Sequence, residues 1–322
     1  MRVFFMGTPQ LAVPVLNSII NSKHEVVLVV TQPDKPVGRQ QKIGAPPIKL
    51  LAVSKGIPVL QPLTMKDEDF RKYLEELKPD IGAVFAYGKI LPQWLLDLPK
   101  YGVINVHASL LPRWRGAAPI QRAIMAGDKV TGTTIMQVVK ELDAGDILLQ
   151  KEIEIEPQDT AETLALRISD ESAKLMVEAL NRIEDGTIVP IKQRKSGITY
   201  AEKITDEDLE IDWNKPAEVI FNQIRALNPK PGAHTHFDET LLKVWWVAMA
   251  PETGHGEPGT VVHIDKNNGP YVATATDTLL LVEVQPANRK KMTGGEFIRG
   301  YRIKVGDRLG LETRNQKPEA RN

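Results

Sequence analysis

A short apolar run at residues 103–108, Val-Ile-Asn-Val-His-Ala, narrows the choice of folds for this chain more than any other stretch. Its length and content predict a buried strand of a parallel sheet. Side chains alternate between the two faces of a strand, so Asn105 and His107 share one face. The pattern fits two interpretations. The two polar groups could be hydrogen-bonded parts of a core, or they could form a site at the carboxyl end of the strand, where open α/β sheets bind ligands.

The first half of the chain alternates strand patterns with amphipathic helix patterns. This alternation predicts an α/β fold with a doubly wound parallel sheet. The other predicted strands lie at 1–7, 25–31, 57–60, 81–86 and 133–139, and 147–155 has the alternating pattern of an edge strand. The opening Gly7-Thr-Pro9 turn lacks the GxGxxG spacing, so it is only weak support for a dinucleotide site.

The second half changes character after residue 188, where a polar stretch reads as a linker. Short β runs with Gly-rich turns follow, and they predict a small OB-like β-barrel, a fold that binds nucleic acids. We therefore predict domains at 1–188 and 208–322 joined by a linker at 189–207. The cations near the end of the chain form either a binding face or ordinary surface charge: Arg289, Lys290, Lys291, Arg299, Arg302, Lys304 and Arg308.

Composition limits the chemistry and the compartment. The 322 residues include no cysteine, which excludes disulfides, thiolate metal sites and a thiol nucleophile. The N-terminal sequence lacks the layout of a signal peptide, so we expect a cytoplasmic protein. Because the formal net charge is zero, a polyanionic partner would have to be held by local basic patches.

One such patch is the loop at residues 32–47, which is longer than βα connections usually are. It contains four prolines, two glycines and the three cations Lys35, Arg39 and Lys42. The loop is either solvated surface or an exposed finger whose cations contact phosphates.

The candidate third member of the site is Asp143, in the acidic turn that follows the predicted strand at 133–139. We expect this turn at the same sheet edge as His107. An Asn can donate to a developing oxyanion, a His can hold or pass a proton, and an Asp can orient the imidazole. Since none of the three is a good nucleophile, the set favours direct acyl transfer to an amine. Only His234 and His236 have metal-ligand spacing and no acidic pattern accompanies them, so we predict no catalytic metal.

The segment Asn105-Val-His-Ala-Ser-Leu-Leu-Pro-Arg-Trp-Arg-Gly116, with Leu-Asp143-Ala-Gly-Asp downstream, resembles the signature of the folate-dependent formyltransferases. FMGTP, KPVGR, AYGKILP and NPKPGA extend the resemblance to nearly the whole chain, and favour the members that act on a charged tRNA. Trp114 departs from the Tyr that is common at that position, but an aromatic surface is kept.

The resemblance implies a Rossmann-like formyltransferase domain and an OB-like barrel. It implies transfer of the formyl group from 10-formyltetrahydrofolate to the α-amino group of methionine on initiator methionyl-tRNA, without a metal or a membrane, and nothing in the sequence demands an oligomer. The residues that match the family are Asn105, His107 and Asp143 for catalysis, Ser109, Leu110, Leu111, Pro112, Tyr87, Gly88, Ile90 and Leu91 for the folate, and Lys35, Arg39 and Lys42 in the tRNA-contacting finger.

Two other functions stay open. A formyltransferase for a sugar amine or another small amine would share the catalytic set, but would need neither the basic loop nor the C-terminal barrel. A non-catalytic RNA-binding protein on the same scaffold would have no use for the set Asn105, His107 and Asp143.

Overall fold

The computed structural model describes residues 1–37, 42–250, 254 and 256–310. The chain separates into two compact units that interleave along the sequence. Unit 1 comprises Met1–Ile120, Lys129–Ile155 and Thr163–Glu202, and unit 2 comprises Gln121–Asp128, Glu156–Glu162 and the described residues from Lys203 onward. Within these described ranges, no helix combines the length and the apolar character that crossing a bilayer requires.

The elements up to residue 202 begin as an alternation of strands and helices. They are β1 (Arg2–Gly7), α1 (Val13–Ile20), β2 (Glu25–Val30), β3 (Lys35–Val37), β4 (Lys42–Gly44), α2 (Pro47–Ser54), β5 (Val59–Leu60), α3 (Glu68–Leu77), β6 (Ile81–Phe85), α4 (Gln93–Asp97), β7 (Val103–His107), β8 (Arg115–Gly116), α5 (Pro119–Met125), β9 (Val130–Gln137), β10 (Ile147–Glu154), α6 (Ala161–Glu184) and β11 (Tyr200–Ala201). The remaining elements are α7 (Ala217–Ala226), β12 (Ala233–Phe237), β13 (Thr240–Met249), β14 (Val261–Asp265), β15 (Gly269–Ala273), β16 (Thr278–Pro286), β17 (Met292–Thr293) and α8 (Gly294–Tyr301).

The main sheet of unit 1 has seven strands in the order β10-β9-β7-β6-β1-β2-β5. Strands β5, β2, β1, β6 and β7 pair in parallel, which confirms the predicted α/β fold. Strand β9 instead pairs antiparallel to β7, with Thr134 opposite His107 and Gln137 opposite Ile104. The turn that carries Asp143 therefore leaves from the amino-terminal end of β7, opposite to the end that a parallel β9 predicts.

Helices cover both faces of this sheet, as a doubly wound fold requires. One apolar cluster joins α1, α2 and α6 to the face that presents Ile104, Val106 and Ile135. A second cluster joins α3 and α4 to the opposite face. Since strand residues alternate, the face opposite to Ile104 and Val106 is the one that Asn105 and His107 share.

The basic loop begins and ends as a short antiparallel ribbon. Strand β3 pairs with β4, and Pro36 lies opposite Ile43. Proline is tolerated there because a two-stranded ribbon consists only of edge strands. The residues at the tip of the loop, 38–41, lie outside the described part of the chain.

Unit 2 contains an antiparallel sheet in the order β12-β13-β16-β15-β14, with β17 beside β16, so the predicted C-terminal β domain is confirmed. Its core includes side chains of α7 and α8, among them Ile220, Ile224 and Phe297. The segment 306–310 links the two edge strands: Gly310 N donates to His236 O on one side, and Val261 N donates to Asp307 O on the other.

Candidate active site

Asn105 and His107 lie at the carboxyl end of β7. They are on the face that also presents their cross-strand partners Met136 and Thr134. Met136 packs with Leu111 and Ile147 in a small apolar cluster beneath the loops of the site. The polar pair of β7 therefore lies beside this apolar cluster, with His107 buried and Asn105 half-buried.

The imidazole of His107 lies between two oxygen atoms. Its Nε2 is 2.7 Å from the carbonyl oxygen of Trp114. A carbonyl can only accept, so Nε2 carries the proton of this hydrogen bond. Its Nδ1 lies 3.6 Å from Oδ2 of Asp143, longer than a hydrogen bond, and the His107 side chain is 6% exposed. The structure thus brings His107 and Asp143 together.

Asp143 is held in an unusual backbone conformation. Its φ is +48°, in the left-handed region that costs a non-glycine residue about 1 kcal/mol or more. Its Oδ2 accepts a 2.8 Å hydrogen bond from the backbone nitrogen of Gly116. Two residues on, a side chain at Gly145 would overlap the carbonyl oxygen of Gln137. The turn is therefore closed tightly over the end of β9, and it carries Asp143 back toward His107.

Asn105 is the member of the set with a free side chain. It is half-buried. Within the described ranges its amide makes no hydrogen bond, unlike the ring of His107. An uncommitted amide donor at the carboxyl end of a strand can approach an oxyanion without first losing a protein partner.

The loop after β7 is folded back onto β9 by Thr134. The Thr134 hydroxyl donates to the carbonyl of Ser109 at 2.7 Å and accepts from the backbone nitrogen of Leu111 at 3.2 Å. Ser109 itself is fully buried, and Leu111 is buried, while Leu110 is half-buried. Among the predicted folate residues in this loop, Leu110 and Pro112 are the ones with side-chain surface.

The turn after β6 supplies the other predicted folate residues. The carbonyl of Tyr87 accepts hydrogen bonds from Gln32 Nε2 at 3.0 Å and Thr8 Oγ1 at 3.5 Å, so loops following three neighbouring parallel strands converge there. Burial raises the pKa of the Tyr87 phenol to about 12. Tyr87 therefore stays protonated near neutral pH and does not act as a base. Gly88 and Ile90 are exposed, and Leu91 is half-buried.

The predicted cations of the finger are described only in part. Lys35 is exposed on β3, and its charge contributes to the lowered pKa of Lys89, after the larger effect of burial. Lys89 Nζ donates to the carbonyls of Pro62 and Leu63 at 2.8 Å each. Arg39 and the side chain of Lys42 lie outside the described residues.

Sequence reasoning missed the segment 191–201, which we call the strap. Strand β11 of the strap pairs in parallel with β8. The Thr199 hydroxyl accepts from the backbone nitrogen of Trp114 at 2.9 Å. The Gln193 amide donates to the carbonyls of Asp143 and Gly145 at 2.7 and 2.8 Å. These contacts join positions 48 to 85 residues apart, in a stretch whose charge pattern resembles a linker, so the sequence offers no local signal for them.

Some of the cations of unit 2 already form ion pairs within the protein. Lys291 pairs with Glu283 at 3.1 Å and Arg308 with Glu257 at 3.4 Å. Lys291 Nζ also lies 4.2 Å from the centre of the Trp245 ring. Among the described residues of the whole chain, no group of three or more His, Asp or Glu is arranged to hold a metal ion.

Known proteins resemble this chain over almost its whole length. The family model described as "Formyl transferase" matches residues 1–180, and "Formyl transferase, C-terminal domain" matches residues 203–302. The methionyl-tRNA formyltransferase of Bacillus licheniformis is 47% identical over 310 residues, which cover 96% of this chain and 98% of that protein.

Two solved structures share the fold at low sequence identity. The N-formyltransferase of Helicobacter canadensis, in complex with folinic acid and dTDP-3-aminofucose, has a TM-score of 0.67 and 20% identity over 90% of this chain and 99% of its own. HypX of Aquifex aeolicus, in complex with tetrahydrofolic acid, has a TM-score of 0.66 and 16% identity over 99% of this chain and 50% of its own, so this chain spans about half of HypX.

Proposed function

This chain belongs to the formyl transferase family, and from that premise we propose that it transfers the formyl group of 10-formyltetrahydrofolate to the α-amino group of methionine on initiator tRNA. The observation that carries the proposal is the identity of 44–47% to proteins named methionyl-tRNA formyltransferase, over 96–97% of this chain and 98% of theirs. For the alternative, a sugar amine as acceptor, the two sugar-amine formyltransferase structures compared are 18–20% identical to this chain, which speaks for the fold alone.

The proposed catalytic roles follow from the hydrogen-bonding capacity of each group. The free amide of Asn105 donates to the oxyanion that forms when the amine attacks the formyl carbon. We expect His107 to steady the same oxyanion: the N–H on its Nε2 donates to the Trp114 carbonyl in this structure and exchanges that partner for the oxyanion during the reaction. Asp143 orients the ring from its position beside Nδ1. As the new N–C bond forms and the bond from the formyl carbon to the folate nitrogen breaks, the amine releases a proton and the folate nitrogen takes one up.

The proposed folate contacts are those expected from the sequence. Burial divides them into residues whose side chains can contact the ligand and residues that hold the loops in place. Side chains of Leu110 and Ile90 have surface to offer an aromatic ligand. Tyr87, Ser109 and Leu111 are buried, so they contribute by holding the backbone of the two loops. These loops follow neighbouring strands β6 and β7, and ligands of open α/β sheets bind in such a position.

For the tRNA we propose contacts from Lys35, Arg39 and Lys42 on the finger and from the C-terminal domain. The domain boundaries that go with this assignment are 1–188, a linker at 189–207 that contains the strap, and 208–322; the two family matches at 1–180 and 203–302 support a division in this region. A monomer that works in the cytoplasm, as expected from the sequence, completes the proposal.

The decisive experiment is a formylation assay with three acceptors: methionyl initiator tRNA, methionyl elongator tRNA, and a nucleotide-linked amino sugar. Each is offered with 10-formyltetrahydrofolate, and the formylated product is quantified. We expect turnover with the initiator tRNA and far less with the other two. Turnover of the amino sugar that exceeds turnover of the initiator tRNA would reject the proposal.

The finger is tested by Arg39→Ala, with Arg71→Ala as the control, since Arg71 is a surface arginine on α3 that pairs with Glu75 at 2.8 Å. Loss of one phosphate contact should weaken tRNA binding and lower the slope of log affinity against log salt by about 0.7–0.9. Folate affinity should not change. Equal loss of folate and tRNA affinity would instead identify the loop as a structural element.

A further inference from the structure

Both oxygen atoms that flank the His107 ring belong to backbone segments held by the strap. The carbonyl that accepts from Nε2 is that of Trp114, whose own nitrogen donates to Thr199. The carboxylate beside Nδ1 is that of Asp143, whose own carbonyl accepts from Gln193. The strap therefore holds the backbone of both residues whose oxygen atoms flank the imidazole, Trp114 and Asp143.

The amide of Gln193 uses its whole hydrogen-bonding capacity in this arrangement. Its nitrogen donates twice, to the carbonyls of Asp143 and Gly145. Its oxygen accepts twice, from Nε of Arg115 at 3.1 Å and from Nη2 of Arg115 at 2.8 Å. An amide has two N–H groups and two lone pairs, so no hydrogen-bonding position is left over. A side chain that is saturated in this way has one defined orientation.

Arg115 explains why the Gln193 side chain resists displacement. Its side chain is 5% exposed, and a buried guanidinium is costly unless its donors are satisfied. Gln193 takes two of these donors and Glu141 takes one at 3.4 Å. The backbone nitrogen of Arg115 also donates to Thr199 O at 2.9 Å. Moving Gln193 would leave two donors of a buried guanidinium without partners, so the cation fixes the amide and the amide fixes the turn.

The turn needs such external support because Asp143 has a φ of +48°. A non-glycine residue in that region persists only where the surroundings impose the conformation. The Gly116 nitrogen fixes the end of the Asp143 side chain, and Gln193 fixes its backbone. With both ends held, the carboxylate has a set position beside the ring.

We propose that Gln193 is a positioning residue for the formyl transfer: it holds the Asp143 turn so that the carboxylate faces Nδ1 of His107, while Thr199 holds the Trp114 carbonyl that faces Nε2. The inference rests on the proposed function, because it presupposes that Asp143 and His107 take part in catalysis. It adds Gln193 and Thr199, two residues of the strap that lie outside the catalytic set.

The primary test is Gln193→Glu, which keeps the length of the side chain and an acceptor for Arg115 but replaces the donating nitrogen by an oxygen that repels the two carbonyls. Thr199→Val is a second, nearly isosteric variant that removes the acceptor for the Trp114 nitrogen. Ser196→Ala, exposed on the same strap, is the control. For each full-length variant, kcat, KM and the pH profile of kcat are measured, together with the melting temperature.

We expect Gln193→Glu to lower kcat by about 10-fold or more with KM within about twofold, since small displacements of catalytic groups are expensive in rate. The pH profile of kcat should shift, because the charge beside the imidazole moves. A residue that only stabilises the fold would lower the melting temperature and leave the kcat and pH profile of the folded enzyme unchanged. That result for both Gln193→Glu and Thr199→Val overturns the inference.

Asp143→Asn, measured in parallel, distinguishes a failure of the positioning role of Gln193 from a failure of the catalytic role of Asp143. If it loses activity while Gln193→Glu and Thr199→Val do not, the positioning role is wrong and the catalytic assignment stands. If Asp143→Asn retains full kcat, the catalytic assignment fails, and the positioning role of Gln193 fails with it.

Discussion

The backbone nitrogen of Gly116 donates a 2.8 Å hydrogen bond to Oδ2 of Asp143, the same carboxylate oxygen that faces His107. Gly116 lies at the end of the loop that leaves β7, and Asp143 lies in the turn between β9 and β10. One hydrogen bond thus ties together the two loops that carry the candidate site, and the position of the carboxylate is shared between them.

Replacement of Asn105 by Ala should reduce kcat by about two to three orders of magnitude, because a donor aimed at the oxyanion is lost. Folate affinity, measured by fluorescence or calorimetry, should change little. Turnover close to that of the wild type, with both substrates bound normally, would remove Asn105 from the catalytic set.

Replacement of Asp143 by Asn keeps an oxygen that can accept from Gly116 but removes the charge beside the imidazole. We expect kcat to fall about 100-fold with little change in melting temperature, within the range that a general acid–base partner contributes. Glu152→Gln, which removes a charge from an exposed position on β10, serves as the control. An equal effect of both variants would point to overall charge instead of to this carboxylate.

Replacement of Gly145 by Ala should destabilise the protein, because the added Cβ would overlap the carbonyl oxygen of Gln137. Overpacking against a backbone atom of this kind costs roughly 1–3 kcal/mol in the free energy of unfolding. The control is Gly300→Ala in α8, where nothing lies within 4 Å of the new methyl group. There we expect a neutral or slightly stabilising effect of up to about 1 kcal/mol. Urea denaturation of both variants provides the comparison.

A pH-dependent prediction concerns Asp208 in unit 2. Hydrogen bonds from Arg122, at 2.6 and 2.8 Å, are the main cause of the lowered pKa of Asp208. A folded-state pKa below the unfolded value contributes stability above the unfolded value of about 3.9, and this contribution is lost as the pH falls through the folded-state pKa.

Arg122→Gln should therefore lower the free energy of unfolding by about 1–2 kcal/mol near neutral pH, as expected for hydrogen bonds between charged groups that are mostly buried. The difference from the wild type should shrink as the pH falls below about 4. Chemical denaturation at several pH values measures it. Arg71→Gln breaks a more exposed pair and should change stability by less than about 0.5 kcal/mol. A pH-independent difference for Arg122→Gln would contradict the assignment.

How far the sequence predicts the site depends on the range of each interaction. The shared face of Asn105 and His107 follows from strand alternation, a local rule, and the structure has it. The sequence predicts that Asp143 lies near His107, but on the premise that β9 runs parallel to β7, and that premise is wrong. Apolar content and turn residues are the same for a strand of either direction, so the sequence of residues 130–137 does not reveal its orientation.

The contacts of the strap lie beyond any local rule. Gln193 meets a turn 50 residues earlier in the chain. Its neighbours in sequence are lysine and arginine, which made the segment resemble a solvated linker. Only the three-dimensional pairing of β11 with β8 reveals that the segment 191–201 is tied to the site.

The antiparallel course of β9 has a consequence for how this chain can vary. Asp143 lies in the loop 138–146, and the strands β9 and β10 fix the two ends of this loop. Adding or deleting one residue in that loop would leave every strand pair intact but move the carboxylate by about 3 Å. In this enzyme the length of the loop 138–146 therefore matters as much as the presence of Asp143. A sequence comparison that scores only residue identities would overlook a change in that length.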